Sequence, residues 1–383
     1  MTYDVEALRR DEFPWAAAGE CIYLNNASTG PMPERTVRAT VDWARLRSNP
    51  ERVPGDLQFG TLARGRELIA RLVGADTSEI ALATNTTFGI NLAAFALPLV
   101  TGDVVLTPDL EFPANVYPWM QLAERRGVEY RRITCDDGVL DRDRLAKELE
   151  DDRVRAVSVS WVQYASGARV DLAALGALCR ERGVYFVVDA IQGLGPLQID
   201  LRRTPVDIFS SGAQKWLLGP WGAGFVYVRK ELVPQLEPHD VSWMAVRGSD
   251  DFTRLADYDL TWREDARRFE FITLPYQDFA GMNTSLELIH ELGPEAVSAH
   301  SLRLADMIVE WACSHDVPLA TPASADRHAA IVSLKVPEAV AASRRLTEAH
   351  VVHSLREGGI RLSPYFFNTE IEIERVLQLI APR

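Results

Sequence analysis

Residues 184–188, Val-Tyr-Phe-Val-Val, form an unbroken apolar run that ends in an acid, Asp189. A run without alternation predicts a strand buried on both faces, as in a parallel sheet, and ligands of open α/β sheets bind at the carboxyl ends of such strands. Comparable runs occupy residues 80–84, 103–108 and 154–162. Helical spacing fills the intervals: two helices over 33–73, an acidic surface helix over 136–152 and a crossover helix over 170–182 stopped by Gly183. This alternation predicts an α/β fold, with a mostly parallel central sheet and helices on both faces. At 383 residues, the chain exceeds one compact core. The pattern divides it into an N-terminal arm (1–20), a large domain (21–262) and a smaller C-terminal α+β domain (263–383).

The chemistry points to residues 205–229. Lysines are scarce here, four among 41 basic residues. Lys147, Lys230 and Lys335 have charged or exposed settings, whereas Lys215 is followed by Trp216, Leu217 and Leu218. Apolar neighbours desolvate an amine and suit it to covalent chemistry with a carbonyl. Alone, such a lysine reads more readily as a snorkelling side chain. Asp189 shifts the balance, because an acid for a protonated pyridine nitrogen and a lysine to join an aldehyde are what pyridoxal phosphate requires.

Separated motifs in consistent order then resemble the class V aminotransferase family of fold-type I pyridoxal phosphate enzymes, which includes cysteine desulfurases, selenocysteine lyases and isopenicillin N epimerase-like proteins. They run from Tyr23-Leu-Asn-Asn-Ala-Ser-Thr-Gly-Pro to Gly359-Ile-Arg-Leu-Ser-Pro-Tyr-Phe-Phe-Asn-Thr. The resemblance implies pyridoxal phosphate as cofactor, an amino-acid substrate or a conjugate carrying one, and a homodimer with active sites at the interface. Lys215 would carry the cofactor and act as base, with Asp189 at the pyridine nitrogen and Gln192 at the phenolic oxygen. Thr86 and Thr87, at a strand-to-helix turn suited to anions, would hold the phosphate together with Gln214. Thr273 would reach the phosphate of the neighbouring subunit. Arg361 would bind the substrate α-carboxylate, with Asn26 assisting at the mouth.

The departures from the family narrow the reaction. Phe112 stands where desulfurases carry a stacking His, and an aromatic face stacks without moving protons. Tyr164 replaces an Asn that touches the phenolic oxygen in many relatives; its hydroxyl could take that bond or act on substrate. Desulfurases also need a nucleophilic Cys shortly before the carboxylate-binding Arg, and no cysteine lies between Arg345 and Arg361. Desulfurase activity is therefore disfavoured. C–S β-elimination of a cysteine S-conjugate in specialised metabolism, such as antibiotic biosynthesis, is placed first. Epimerisation, decarboxylating oxidative deamination and transamination stay open. A cofactor-free scaffold is argued against by Asp189, Gln192, Lys215 and Arg361 together.

A net charge of −13 weighs against nucleic acid or an anionic membrane as partner. The acidic N-terminus lacks an apolar signal core, and no run approaches the ~20 apolar residues of a membrane span, so a cytoplasmic location is expected. Cys21, Cys135, Cys179 and Cys313 are scattered without ligand spacing, which reads as reduced thiols and no metal site.

Overall fold

The apolar runs become neighbouring strands in the computed structural model, which describes residues 3–135 and 138–380. A two-residue strand, β1 (Ile22–Tyr23), precedes a seven-stranded sheet. Its members are β2 (Ile80–Ala83), β3 (Val104–Pro108), β4 (Glu129–Ile133), β5 (Val154–Ser160), β6 (Tyr185–Asp189), β7 (Ile208–Gly212) and β8 (Gly224–Val228). Across the sheet the order is β2-β8-β7-β6-β5-β3-β4. All pairings are parallel except those of β8, which runs antiparallel to both neighbours. Alternate side chains leave for opposite faces, Phe186 and Val188 into one apolar core and Val187 into another. This is the expected α/β fold of fold-type I.

The path of the chain positions the site. From β3 it goes outward to β4 and returns on the other side to β5, so the direction of travel reverses between β3 and β5. Loops leaving the carboxyl ends of two such strands diverge and open a crevice. Residues 109–116 and 161–169 are those loops.

Four more strands follow: β9 (Val332–Leu334), β10 (Val351–Val352), β11 (Ser354–Arg356) and β12 (Gly359–Leu362). The antiparallel sheet β11-β12-β9 and the helices Pro294–Ser314, Ala339–Glu348 and Glu370–Ile380 enclose a third core. β1 pairs with β10, which sends Ile22 and Leu24 into this core. The helix Val5–Glu12 docks on the same end, where Arg9 donates to the Phe367 carbonyl at 2.9 Å and pairs with Glu372 at 2.9 Å.

The helix Tyr276–Leu292 packs instead on the helices Glu34–Arg47 and Leu57–Val73 beside the large sheet. Glu270 joins them, pairing with Arg66 at 2.6 Å and accepting the Leu82 N–H at 3.0 Å. The expected boundary at 263 falls between these packed elements. The helix expected over 136–152 is shorter, Arg142–Glu148, with Asp136 and Asp137 outside the described residues. Among the described residues no helix is long and apolar enough to cross a membrane.

Candidate active site

Asn85 caps the helix Thr86–Ala96, its side chain accepting the Phe88 N–H at 3.0 Å. First-turn N–H groups lack partners within a helix, and the dipole adds positive potential there. Thr86 is buried: its Oγ1 accepts the Gly212 N–H at 2.9 Å and its carbonyl accepts from Ser210 Oγ at 3.2 Å, which ties the helix to β7. The Thr86 hydroxyl keeps its own hydrogen for a further acceptor. Thr87 is exposed in the same turn. Both expected phosphate ligands thus sit where an anion is favoured.

β6 ends in Asp189, and neighbouring β7 leads through Gly212 to Lys215. Asp189 is buried, and its Oδ1 accepts the Ile191 N–H at 3.0 Å. Burial raises its pKa to about 6, against the opposing effects of that hydrogen bond and of the Lys215 charge. Lys215 moves the other way. Burial lowers its ammonium to about 8, Asp189 resists, and the charges of Arg361 and Arg356 add to the lowering. Its Nζ lies 5.7 Å from the centroid of the Phe112 ring. Acid, amine and aromatic face therefore converge at the crevice.

Gln192 bridges two neighbours: Nε2 donates to the Ala27 carbonyl at 2.9 Å, and Oε1 accepts from Trp216 Nε1 at 2.9 Å. One amide hydrogen is left for a phenolic oxygen. Gln214 accepts the Gly30 N–H on its carbonyl at 2.9 Å, while its side-chain amide lies against Gly212. Only glycine fits at position 30, because a Cβ there would collide with the Lys215 carbonyl and Leu218.

Arg361, on β12, is 2% exposed. It donates from Nε to Ser354 Oγ at 3.1 Å, from Nη1 to the Tyr164 carbonyl at 2.7 Å and from Nη2 to Ser28 Oγ at 2.7 Å. All three acceptors are neutral. A guanidinium has five N–H groups, so one on each Nη remains, a fork of the kind that grips a carboxylate. Burial and the Arg356 charge hold its pKa down at about 10.

Two further expected residues lie around this site. The Tyr164 ring stands edge-on to Phe112, centroids 5.4 Å apart, and burial raises its pKa, with the Glu357 charge adding to the rise. Asn26 donates from Nδ2 to the Ser363 carbonyl at 2.8 Å, and its buried Oδ1 has no partner. As on Gln192, one amide hydrogen is left on Nδ2 for a further acceptor. Thr273 is exposed, and no contact among the described residues joins it to Lys215.

Glu111 was not anticipated. It is buried, accepts the Ser160 N–H at 2.7 Å and the Ser160 hydroxyl, and burial raises its pKa to about 7, with Asp189 adding to the rise. Ser160 pairs with Asp189 across β5 and β6. The signal available in the sequence was an acid directly before Phe112 and Pro113.

β11 and β12 meet in a tight turn at Glu357 and Gly358, where φ is 45° and 73°. No thiol lies in this hairpin. Cys135 and Cys179 are buried, their thiols pushed up to about 12 by burial, while Cys21 precedes β1 and Cys313 is exposed on a helix.

A buried acid, a desolvated lysine with an aromatic face above it, and a helix N-terminus with hydroxyls together fit pyridoxal phosphate. The family model Aminotransferase class-V matches residues 22–376. A probable cysteine desulfurase of Pyrococcus abyssi is 29% identical over 325 residues, 83% of this chain and 79% of that protein. An isopenicillin N epimerase of Streptomyces clavuligerus is 30% identical over 376 residues, 93% of each chain. In structure, the apo cysteine desulfurase of Thermococcus onnurineus NA1 aligns with a TM-score of 0.87 at 23% identity, over 99% of this chain and 98% of the other.

Proposed function

Since the chain belongs to the class-V aminotransferase family and is a pyridoxal phosphate enzyme, we propose that it cleaves the C–S bond of a cysteine S-conjugate by β-elimination. Bound at this site, the cofactor supplies an electron sink for the bonds at the substrate Cα. The chain supplies the rest. The remaining Arg361 N–H pair binds the α-carboxylate, Asp189 holds the pyridine nitrogen, and the first turn at Thr86 and Thr87 holds the phosphate. Lys215 Nζ takes the Cα proton, for which an amine of pKa about 8 is suited. Sulfur departs with the electrons of the C–S bond as a thiol, and water releases pyruvate and ammonia.

The observation that carries this reading is the thiol-free hairpin before Arg361. Several relatives are named cysteine desulfurases, and desulfurisation passes sulfur to a protein thiol. A two-residue turn without cysteine offers no such acceptor. A homodimer also belongs to the proposal. Tyr258 is 94% exposed, and Trp221 and Leu260 are largely exposed as well; a second copy would cover apolar area of this kind and bring Thr273 to its partner's phosphate. We place the enzyme in the cytoplasm and in specialised metabolism.

The test is product analysis with the cofactor-loaded enzyme. Pyruvate and ammonia in equal amounts from a cysteine S-conjugate are expected. Alanine from free cysteine would replace this reading with desulfurisation.

A further inference from the structure

We infer that the substrate carries a second anionic group at the far end of its side chain, and that Arg356 receives it. The inference rests on Arg361 being the α-carboxylate site. In the β11–β12 hairpin, Ser354 pairs with Arg361 and Arg356 with Gly359. Side chains alternate along a strand, so Ser354, Arg356, Gly359 and Arg361 share one face. Ile360 points the other way, into the C-terminal core. The shared face is the one from which Arg361 reaches Ser28 and Tyr164.

Arg356 is exposed and forms no hydrogen bond or ion pair among the described residues. The adjacent Glu357 carboxylate forms no ion pair with it among the described residues, and its charge is felt instead at Tyr164. The Arg356 charge is nevertheless felt at Lys215, at Arg361 and at Tyr164. An ordinary solvated arginine would be expected to lie away from other cations. Here three positive groups share one mouth, and the α-carboxylate answers only Arg361. The cofactor phosphate belongs at the Thr86 turn, on the large sheet, and leaves Arg356 unmatched.

Two strand positions separate Ser354 from Arg356, roughly 6–7 Å. An amino acid with three or four atoms between Cα and a terminal carboxylate spans that interval. S-(carboxymethyl)-cysteine has this shape, and S-(carbamoylmethyl)-cysteine is its neutral isostere.

The experiment compares the two ligands by calorimetric binding to the cofactor-loaded enzyme and to its Arg356→Gln and Arg356→Lys variants. A preference for the carboxylate of roughly tenfold is expected in the wild type, as for a charge-assisted hydrogen bond. Arg356→Gln should remove that preference while leaving the amide's affinity unchanged, and Arg356→Lys should restore part of it. Equal affinity of the wild type for both ligands would overturn the inference, as would an equal loss for both in Arg356→Gln. Binding of neither ligand would overturn the inference together with the α-carboxylate reading. Pyruvate release reports separately on the reaction: binding with preference but without pyruvate sinks the lyase reading and leaves the Arg356 assignment standing.

Discussion

Arg361 holds Tyr164 by its backbone, Nη1 donating to the carbonyl at 2.7 Å, while the Glu357 charge in the turn before β12 adds to the burial that raises the pKa of the same tyrosine. The hairpin thus fastens the main chain of a residue on the large sheet's side of the crevice. Orientation of the guanidinium is set by three neutral acceptors, so its remaining N–H pair points where those contacts leave it.

Arg361→Lys keeps the charge and loses the fork. The expected result is a rise in KM of about 10- to 100-fold for the amino-acid substrate, with a smaller change in kcat. Steady-state kinetics decide it, and an unchanged KM would place the α-carboxylate elsewhere.

Lys215 must be neutral to attack an aldehyde. Its ammonium is held at about 8 by burial, so the rate of cofactor uptake by the apoenzyme should climb with pH and level off above about pH 8. Absorbance stopped-flow measures this. A rate still climbing near pH 10 would show a fully solvated amine.

Asp189 destabilises the cofactor-free protein. Its folded pKa, about 6, exceeds the ordinary 3.8, so the native state binds more protons between those values. The protonated form contributes stability below about pH 4 that is lost as pH rises through 6. At pH 7.5, Asp189→Asn should stabilise the apoenzyme by about 1–3 kcal/mol, less at pH 5, while catalysis collapses. Urea titrations at the two pH values test both the sign and the trend.

Glu270 and Arg66 form a buried pair at 2.6 Å, with side chains 4% and 12% exposed. Removing one partner strands the other charge, so Glu270→Ala should cost about 3–5 kcal/mol. The double change Arg66→Met with Glu270→Leu should recover most of that loss in thermal unfolding.

The sheet, the buried acid at the end of β6 and the desolvated lysine were legible because each is written in adjacent residues: an apolar run, its terminal Asp, and a lysine followed by apolar residues. The surroundings of Arg361 were not. Ser28 and the Tyr164 carbonyl come from distant parts of the chain, and a carbonyl has no sequence signature. Glu111 escaped notice because its burial depends on a loop folding back onto Ser160. The packing of residues 276–292 on the large sheet's helices was hidden for a related reason. Helical periodicity in residues 276–292 marks an apolar face without saying which body covers it.

Two stretches far apart in sequence meet around Arg361: Asn26, Ala27 and Ser28 come from one, Arg361 and Ser363 from the other. During synthesis domains form from the amino terminus onward, so the large sheet and Lys215 leave the ribosome well before the β11–β12 hairpin. A chain cut short before residue 354 would retain its amine and its buried acid but lack Arg361. With the α-carboxylate at Arg361, as proposed, substrate recognition is the last property the growing polypeptide acquires.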